Sequence, residues 1–197
     1  MNKTGHTHWV LTLVCEDRPG IVHAISGAIV QAQGNITESH QFTSEDTGRF
    51  FMRLQIESPA SKAELESKIA LVTKEFAMSW ELDVVGRKMR TLVLVSKSAH
   101  CLNDLLFRQR SGQLPIVIPK VLSNHESRSD LASFYGIEFE SSSINSDSDK
   151  KAFEDKLRSI IKSEEIELIV LARYMQILSP EFCKEFEGKI INLSLIH

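Results

Sequence analysis

The first 87 residues alternate short apolar runs with amphipathic segments in an order that predicts strand, helix, strand, strand, helix, strand. The predicted strands cover residues 9–15, 36–43, 49–57 and 80–85. Apolar side chains at helical spacing mark the two helices: Ile21, Ile25, Ala28 and Ile29, then Leu65, Ile69, Val72 and Phe76. Gly34 is predicted to end the first helix as a C-cap glycine. We therefore expect a first α/β domain over residues 1–87, which ends in a short linker.

From residue 89 onward, strands alternate with helices, and this rhythm is typical of a parallel sheet. The predicted strands cover residues 91–95, 116–122, 137–140, 166–172 and 189–193. Ser179 and Pro180 are predicted to begin the last helix, as its N-cap and its first helical residue. No crossover helix follows the final strand. The second predicted domain, residues 88–197, is therefore an incomplete doubly wound, mainly parallel sheet.

Composition excludes several classes of partner. The net charge of −3 gives no basic surplus for nucleic acid, and the longest apolar run, residues 168–172, is too short for a membrane helix. The first residues lack the apolar core of a signal peptide, so a cytoplasmic location is expected. Three isolated cysteines, Cys15, Cys101 and Cys183, form no pattern of metal ligands.

The segment CEDRPGIVHAISGAI, residues 15–29, resembles the first loop and helix of ACT domains, which have a ferredoxin-like βαββαβ fold. ACT domains commonly bind amino acids at this loop, at a subunit interface. The resemblance therefore implies a regulatory ligand at Asp17, Arg18 and Gly20 and a homo-oligomer. Free backbone amides at the start of the helix could meet the carboxylate of such a ligand. The alternative is a plain strand–helix turn in a pairing module that binds nothing.

Three further segments resemble formyltetrahydrofolate deformylases in order and spacing: VSKSAHCLNDLLFR (95–108), IPKVLSNH (118–125) and LIVLARYMQILSPEF (168–182). The resemblance implies hydrolysis of 10-formyltetrahydrofolate to formate and tetrahydrofolate, in one-carbon and purine metabolism, without a metal or nucleotide cofactor. Such hydrolysis needs an activated water and donors that stabilise a tetrahedral oxyanion. A formyltransferase that passes the formyl group to an amine is less favoured, because no glycine-rich phosphate loop follows Val95.

Carried over residue by residue, the resemblance assigns the folate site to two short stretches. Asn192 matches the catalytic Asn, whose amide donates to the formyl oxygen. The substrate-binding residues follow the strand at 166–172 and are Arg173, Tyr174, Met175, Ile177 and Leu178. Open α/β sheets bind ligands at this end of their strands. The alternative for Met175, Ile177 and Leu178 is that they belong only to the core.

Polar residues also follow the first two strands of the second domain. Ser96, His100 and Asn103 lie where the resemblance places the nucleotide phosphate of a related transferase, and the alternative for them is capping and packing of the first helix. Asn124 and His125 end the next strand and could face the cleft.

The sequence departs from the family at the catalytic strand. The family motif there reads Ile-Asn-Ile-His-His-Ser-Phe, whereas residues 191–197 place Ser194 at the catalytic His and leave His197 out of register. The distant catalytic Asp has no counterpart. A frameshift would account for this, and sequencing the DNA beyond the codon for His197 would test it. The sequence thus predicts little or no activity for the 197-residue chain, or a non-catalytic ACT module that carries an enzyme remnant.

Overall fold

The computed structural model describes residues 6–127 and 129–193 and divides into two compact units, Met1–Arg87 and Lys88–His197. Both units combine helices with a sheet. Among the described residues, every helix is too short or too polar to span a bilayer.

The first unit has the predicted βαββαβ order. Its elements are β1 (Thr7–Glu16), α1 (Ile21–Gln31), β2 (Asn35–Ser44), β3 (Arg49–Ser58), α2 (Lys62–Glu75) and β4 (Ser79–Val84). The four strands form an antiparallel sheet in the order β2-β3-β1-β4. The ferredoxin-like fold expected from the sequence is confirmed.

One face of this sheet packs against the helices. Alternate residues of β1, such as Leu11 and Leu13, are buried in the same cluster as Ile25 of α1 and Leu65 of α2, while the residues between them are partly or fully exposed. This period of two is the reason that a half-buried strand can be recognised from its sequence.

The expected role of Gly34 is wrong. Helix α1 ends at Gln31, and the left-handed residue after it is Gln33, with φ 53°. The Gly34 amide donates to the Ile29 carbonyl oxygen at 2.9 Å, and a Cβ on Gly34 would lie 2.8 Å from Ile29 Cγ2. Glycine is therefore required by close packing against the helix and not by a left-handed turn.

The second unit is a wholly parallel sheet with helices between its strands. Its elements are β5 (Met89–Val95), α3 (His100–Arg110), β6 (Ile116–Val117), β7 (Lys120–Ser123), α4 (Ser129–Phe134), β8 (Glu138–Ser141), α5 (Asp147–Ser163), β9 (Leu168–Ala172), α6 (Pro180–Glu185) and β10 (Ile190–Leu193). The main strand order is β10-β9-β5-β7-β8, and β6 pairs with the start of β5. The single strand predicted over 116–122 is split, because Pro119 has no amide hydrogen to continue the ladder.

Both faces of this sheet are covered, as in other parallel sheets. Leu92 and Leu94 of β5 pack in one cluster with α5, and Val93 and Val95 pack in another with α3. The chain moves from β5 to β7 and β8 on one side, then returns to β9 and β10 on the other. The carboxyl ends of β5 and β9 therefore flank a topological switch point, where open α/β sheets bind ligands.

Candidate functional site

The strand register brings three loop residues to the same edge of the sheet. Val95 of β5 pairs with Ala172 of β9 and with Ser123 of β7. The next residues along the chain, Ser96, Arg173 and Asn124, therefore all leave the sheet at its carboxyl edge. The site is built around this edge.

The segment 173–178, called the switch loop below, begins with an unusual backbone conformation. Arg173 has φ 51°, and its amide donates to the Leu193 carbonyl oxygen of β10 at 3.0 Å. Among the described residues, the other non-glycine residues with positive φ are Gln33, Ala77 and Glu165, and each follows the end of a helix. Arg173 follows a strand, and such strain outside a helix cap is often retained at functional sites.

Two side chains anchor the switch loop in the core. Tyr174 and Leu178 are only 7% and 8% exposed, and Tyr174 stacks on Phe153 of α5 with ring centroids 6.1 Å apart. Burial raises the pKa of the Tyr174 phenol well above its usual value, and the nearby Glu154 carboxylate adds to this effect. Tyr174 is therefore a neutral packing residue at physiological pH and not a base.

Two of the three side chains between these anchors are exposed although they are apolar. Met175 is 70% exposed and Ile177 is 82% exposed. The loop thus places two exposed apolar side chains between two buried ones, and it presents an apolar surface at the switch point. An exposed apolar patch at such a position is characteristic of a binding surface.

Asn192 of β10 lies beside this surface. A cavity of about 460 Å³ is lined by Leu171, Arg173, Tyr174, Met175, Gln176, Ile177, Leu178, Cys183, Ile190 and Asn192. A second recess, of about 740 Å³, shares Met175, Gln176 and Ile177 and is lined on its other side by the start of α5, including Lys150. All six predicted folate-site residues therefore line one cavity, although Tyr174 and Leu178 are largely core side chains. The predictions that concern Ser194 and His197 lie outside the described residues.

Ser96 does not cap α3, so the alternative of helix capping does not hold for it. Helix α3 begins at His100, its N-cap is Ala99, and no side chain caps it. The Ser96 hydroxyl instead donates to Asn124 Oδ1 at 2.7 Å and accepts the Met175 amide hydrogen at 2.9 Å. Asn124 Nδ2 in turn lies 3.3 Å from His125 Nε2.

A buried carboxylate at the other end of the switch loop was missed by the sequence reasoning. Glu154 of α5 is 5% exposed, and it accepts the Ser179 amide at 2.7 Å and the Ser179 hydroxyl at 2.5 Å. Ser179 also caps α6 as predicted, since its hydroxyl accepts the Phe182 amide at 3.2 Å. The available signal was the position of Glu154 next to Phe153 on the apolar face of its helix.

The predicted ligand loop of the first unit has surface contacts. Gly20 has φ 98° and precedes α1, which no side chain caps. Arg18 donates to the Glu75 carbonyl oxygen at 2.7 Å and lies 4.2 Å from the centre of the Phe76 ring. The Asp17 carboxylate accepts the Thr43 hydroxyl at 2.8 Å. Both charged side chains therefore have partners within the unit.

The described part of the chain contains no cluster of side chains that could bind a metal ion. Nowhere within residues 6–127 and 129–193 do three His, Cys, Asp or Glu side chains gather as potential ligands.

Comparison with known proteins agrees with this geometry. The formyl transferase family model matches residues 89–196, and the ACT domain model matches residues 9–66. A crystal structure of a formyltetrahydrofolate deformylase from Pseudomonas putida KT2440 superimposes with a TM-score of 0.85 at 35% identity, over 94% of this chain and 67% of that one. This chain belongs to the formyltetrahydrofolate deformylase family.

Other deformylases are similarly related. The enzyme from Burkholderia mallei ATCC 23344 gives a TM-score of 0.86 at 32% identity, over 94% of this chain and 66% of that one. The formyltetrahydrofolate deformylase of Corynebacterium sp. strain P-1 is 42% identical over 187 residues, which are 93% of this chain. The present chain spans 65% of the length of that Corynebacterium deformylase.

Proposed function

We propose that the whole protein hydrolyses 10-formyltetrahydrofolate to formate and tetrahydrofolate, and that the second unit supplies the pterin side of the cleft. The observation that carries this proposal is the cavity in which the exposed side chains of Met175 and Ile177 meet Asn192 at the switch point. A flat, reduced pterin has apolar faces and polar edges. It suits a wall of apolar side chains beside backbone amides and a side-chain amide.

Asn192 would act on the reacting group in this proposal. Its amide would donate to the formyl oxygen and stabilise the negative charge that develops when water attacks the carbon. We propose that no metal or nucleotide cofactor takes part. A chelator should therefore leave formate release by the whole protein unchanged, and loss of activity that Zn²⁺ restores would contradict this.

The 197-residue chain should bind the reduced folate but hydrolyse it only slowly. Ser194 stands where the family resemblance places the catalytic His, and a hydroxyl with its high pKa is a poor substitute for an imidazole in proton transfer. We expect formate release slower by about 10²-fold or more than that of the Corynebacterium deformylase in the same assay. Equal rates would contradict the role given to position 194.

Binding can be tested by calorimetric titration of the chain with 5-formyltetrahydrofolate, a stable reduced folate. Ile177→Asp should weaken binding about 10-fold or more, because a charge replaces an apolar side chain that the ligand would cover. Val30→Asp is the matched control, since Val30 is also exposed and apolar but lies on α1 of the first unit. Equal effects of the two substitutions, or no binding by the unaltered chain, would contradict the proposal.

We also propose that the ACT unit is regulatory, binds an amino acid at Asp17, Arg18 and Gly20, and pairs in a homo-oligomer. The uncapped start of α1 supports an anionic ligand, and the exposed Phe42 on β2 supports a contact between subunits. Titration with the common amino acids and light scattering of the chain would test both parts. A strictly monomeric chain that binds none of them would contradict the proposal. A cytoplasmic location remains a prediction.

A further inference from the structure

The buried side chain of Ser96 connects the ends of three strands through two hydrogen bonds. It follows β5, its acceptor Asn124 follows β7, and its donor, the Met175 amide, lies in the switch loop after β9. Ser96 is 2% exposed and Asn124 is 5% exposed. Water therefore has little access to the bond between Ser96 and Asn124, while the bond from the Met175 amide is partly buried.

The hydroxyl of Ser96 donates one hydrogen bond and accepts another. Its hydrogen goes to Asn124 Oδ1, and one of its lone pairs receives the Met175 N–H. Because Asn124 fixes the direction of the hydroxyl hydrogen, the lone pair that faces Met175 is fixed as well. A buried polar group held at both ends in this way favours a single geometry.

We infer that Ser96 and Asn124 are positioning residues for reduced-folate binding, which hold the Met175 backbone so that the exposed side chains of the switch loop face the cavity. The inference rests on the proposed function, since it assigns these two residues to the same folate cleft. Neither residue lines the cavity, so they act through the switch loop and not by contact with the ligand.

The strain at Arg173 is the reason that the switch loop needs a hydrogen bond to hold it in place. A left-handed arginine is disfavoured relative to the ordinary regions of backbone space, so the loop would relax if nothing held it. The Ser96 bond holds the loop two residues after the strained position. Loss of this bond should therefore change the loop locally while the sheet below it stays intact.

The experiment compares Ser96→Ala with Ser123→Ala. Ser123 is also buried at the end of a neighbouring strand, and its hydroxyl also accepts a backbone amide, that of His125 at 3.0 Å, but within the described part of the chain it makes no side-chain hydrogen bond to the switch loop. Both variants lose one part-buried side-chain hydrogen bond to a backbone amide, and Ser96→Ala also loses the buried bond to Asn124. Asn124→Ala provides a second variant that leaves the Ser96 hydroxyl in place but without its acceptor.

Two measurements are made on each 197-residue variant. The first is amide hydrogen exchange at Met175, followed by NMR without ligand. Ser96→Ala and Asn124→Ala should speed exchange about 10-fold, and Ser123→Ala should change it less than about 2-fold. The second is calorimetric titration with 5-formyltetrahydrofolate, for which we expect binding about 10-fold weaker in the first two variants and nearly unchanged in the third.

The outcomes separate this inference from the proposed function. Unchanged exchange at Met175 in Ser96→Ala, or equal changes in Ser96→Ala and Ser123→Ala, would overturn the positioning role. Faster exchange at Met175 with full-strength folate binding would overturn it as well. An unaltered chain that binds no folate would overturn the proposed function and with it the link to the folate, while the exchange result would still decide whether Ser96 holds the switch loop.

Discussion

The Asp17–Gly20 loop of the first unit and the switch loop of the second both leave a strand and lead towards a helix, but they are fixed by different means. The first has glycine at its left-handed position, and its charged side chains make contacts at the surface. The second has Arg173 at its left-handed position, and its Met175 amide and the following Ser179 amide donate to the buried side chains of Ser96 and Glu154. A glycine turn with surface contacts can adjust to a ligand, whereas a strained loop with buried anchors is preorganised for one.

The largest change in stability is expected when Glu154, the buried acceptor at the end of the switch loop, is removed. Glu154→Ala should lower the free energy of unfolding by about 3 kcal/mol, because the Ser179 amide and hydroxyl, both partly buried, lose their carboxyl acceptor. Lys151→Ala, at an exposed position one turn earlier on α5, should change it by less than about 0.5 kcal/mol. Urea unfolding followed by circular dichroism measures both. A loss below about 1 kcal/mol for Glu154→Ala would show that the hydrogen bonds between Glu154 and Ser179 contribute little to stability.

A second test examines the glycine of the first loop. Gly20→Ala should destabilise the first unit by about 1–2 kcal/mol, because alanine is disfavoured at φ 98° even though its Cβ would have room. Gly27→Ala, in the middle of α1 with nothing near the added Cβ, should stabilise it by about 0.5–1 kcal/mol. Tryptophan fluorescence during unfolding reports on this unit alone, since Trp9 and Trp80 both lie in it. Effects of the same sign would contradict the assignment of backbone strain to position 20.

The smallest effect is expected at the strained residue of the switch loop. Arg173→Gly should be more stable than Arg173→Ala by about 1 kcal/mol, because both lose the guanidinium and only glycine is relieved at φ 51°. Thermal unfolding of the two variants side by side isolates this backbone contribution. If their midpoints agree, the conformation of Arg173 stores no strain, and the contrast between the two loops weakens.

The fold followed from the sequence because its signals are local. The order strand, helix, strand, strand, helix, strand before residue 87 predicted the first sheet, and the strand–helix rhythm from residue 89 predicted the parallel one. The failures were also local. Pro119 divided a strand that hydrophobicity alone made continuous, and Gly34 proved to be needed for packing against Ile29.

The candidate site could be predicted only in part. The end of β9 was recognisable as a ligand-binding position, and all six predicted folate-site residues do line one cavity. The division of the switch loop into buried Tyr174 and Leu178 and exposed Met175 and Ile177 was not predicted. It depends on partners far away in the sequence: Ser96 lies 79 positions from Met175, and Glu154 lies 25 positions from Ser179. No local periodicity encodes such contacts.

The most direct test of the central claim, that the switch loop forms the pterin wall, is an NMR titration of the ¹⁵N-labelled chain with 5-formyltetrahydrofolate. We expect the largest shifts at the backbone amides of Met175, Gln176 and Ile177 and at the side-chain amide of Asn192. Shifts confined to the Asp17–Gly20 loop, or no shifts at saturating ligand, would contradict it.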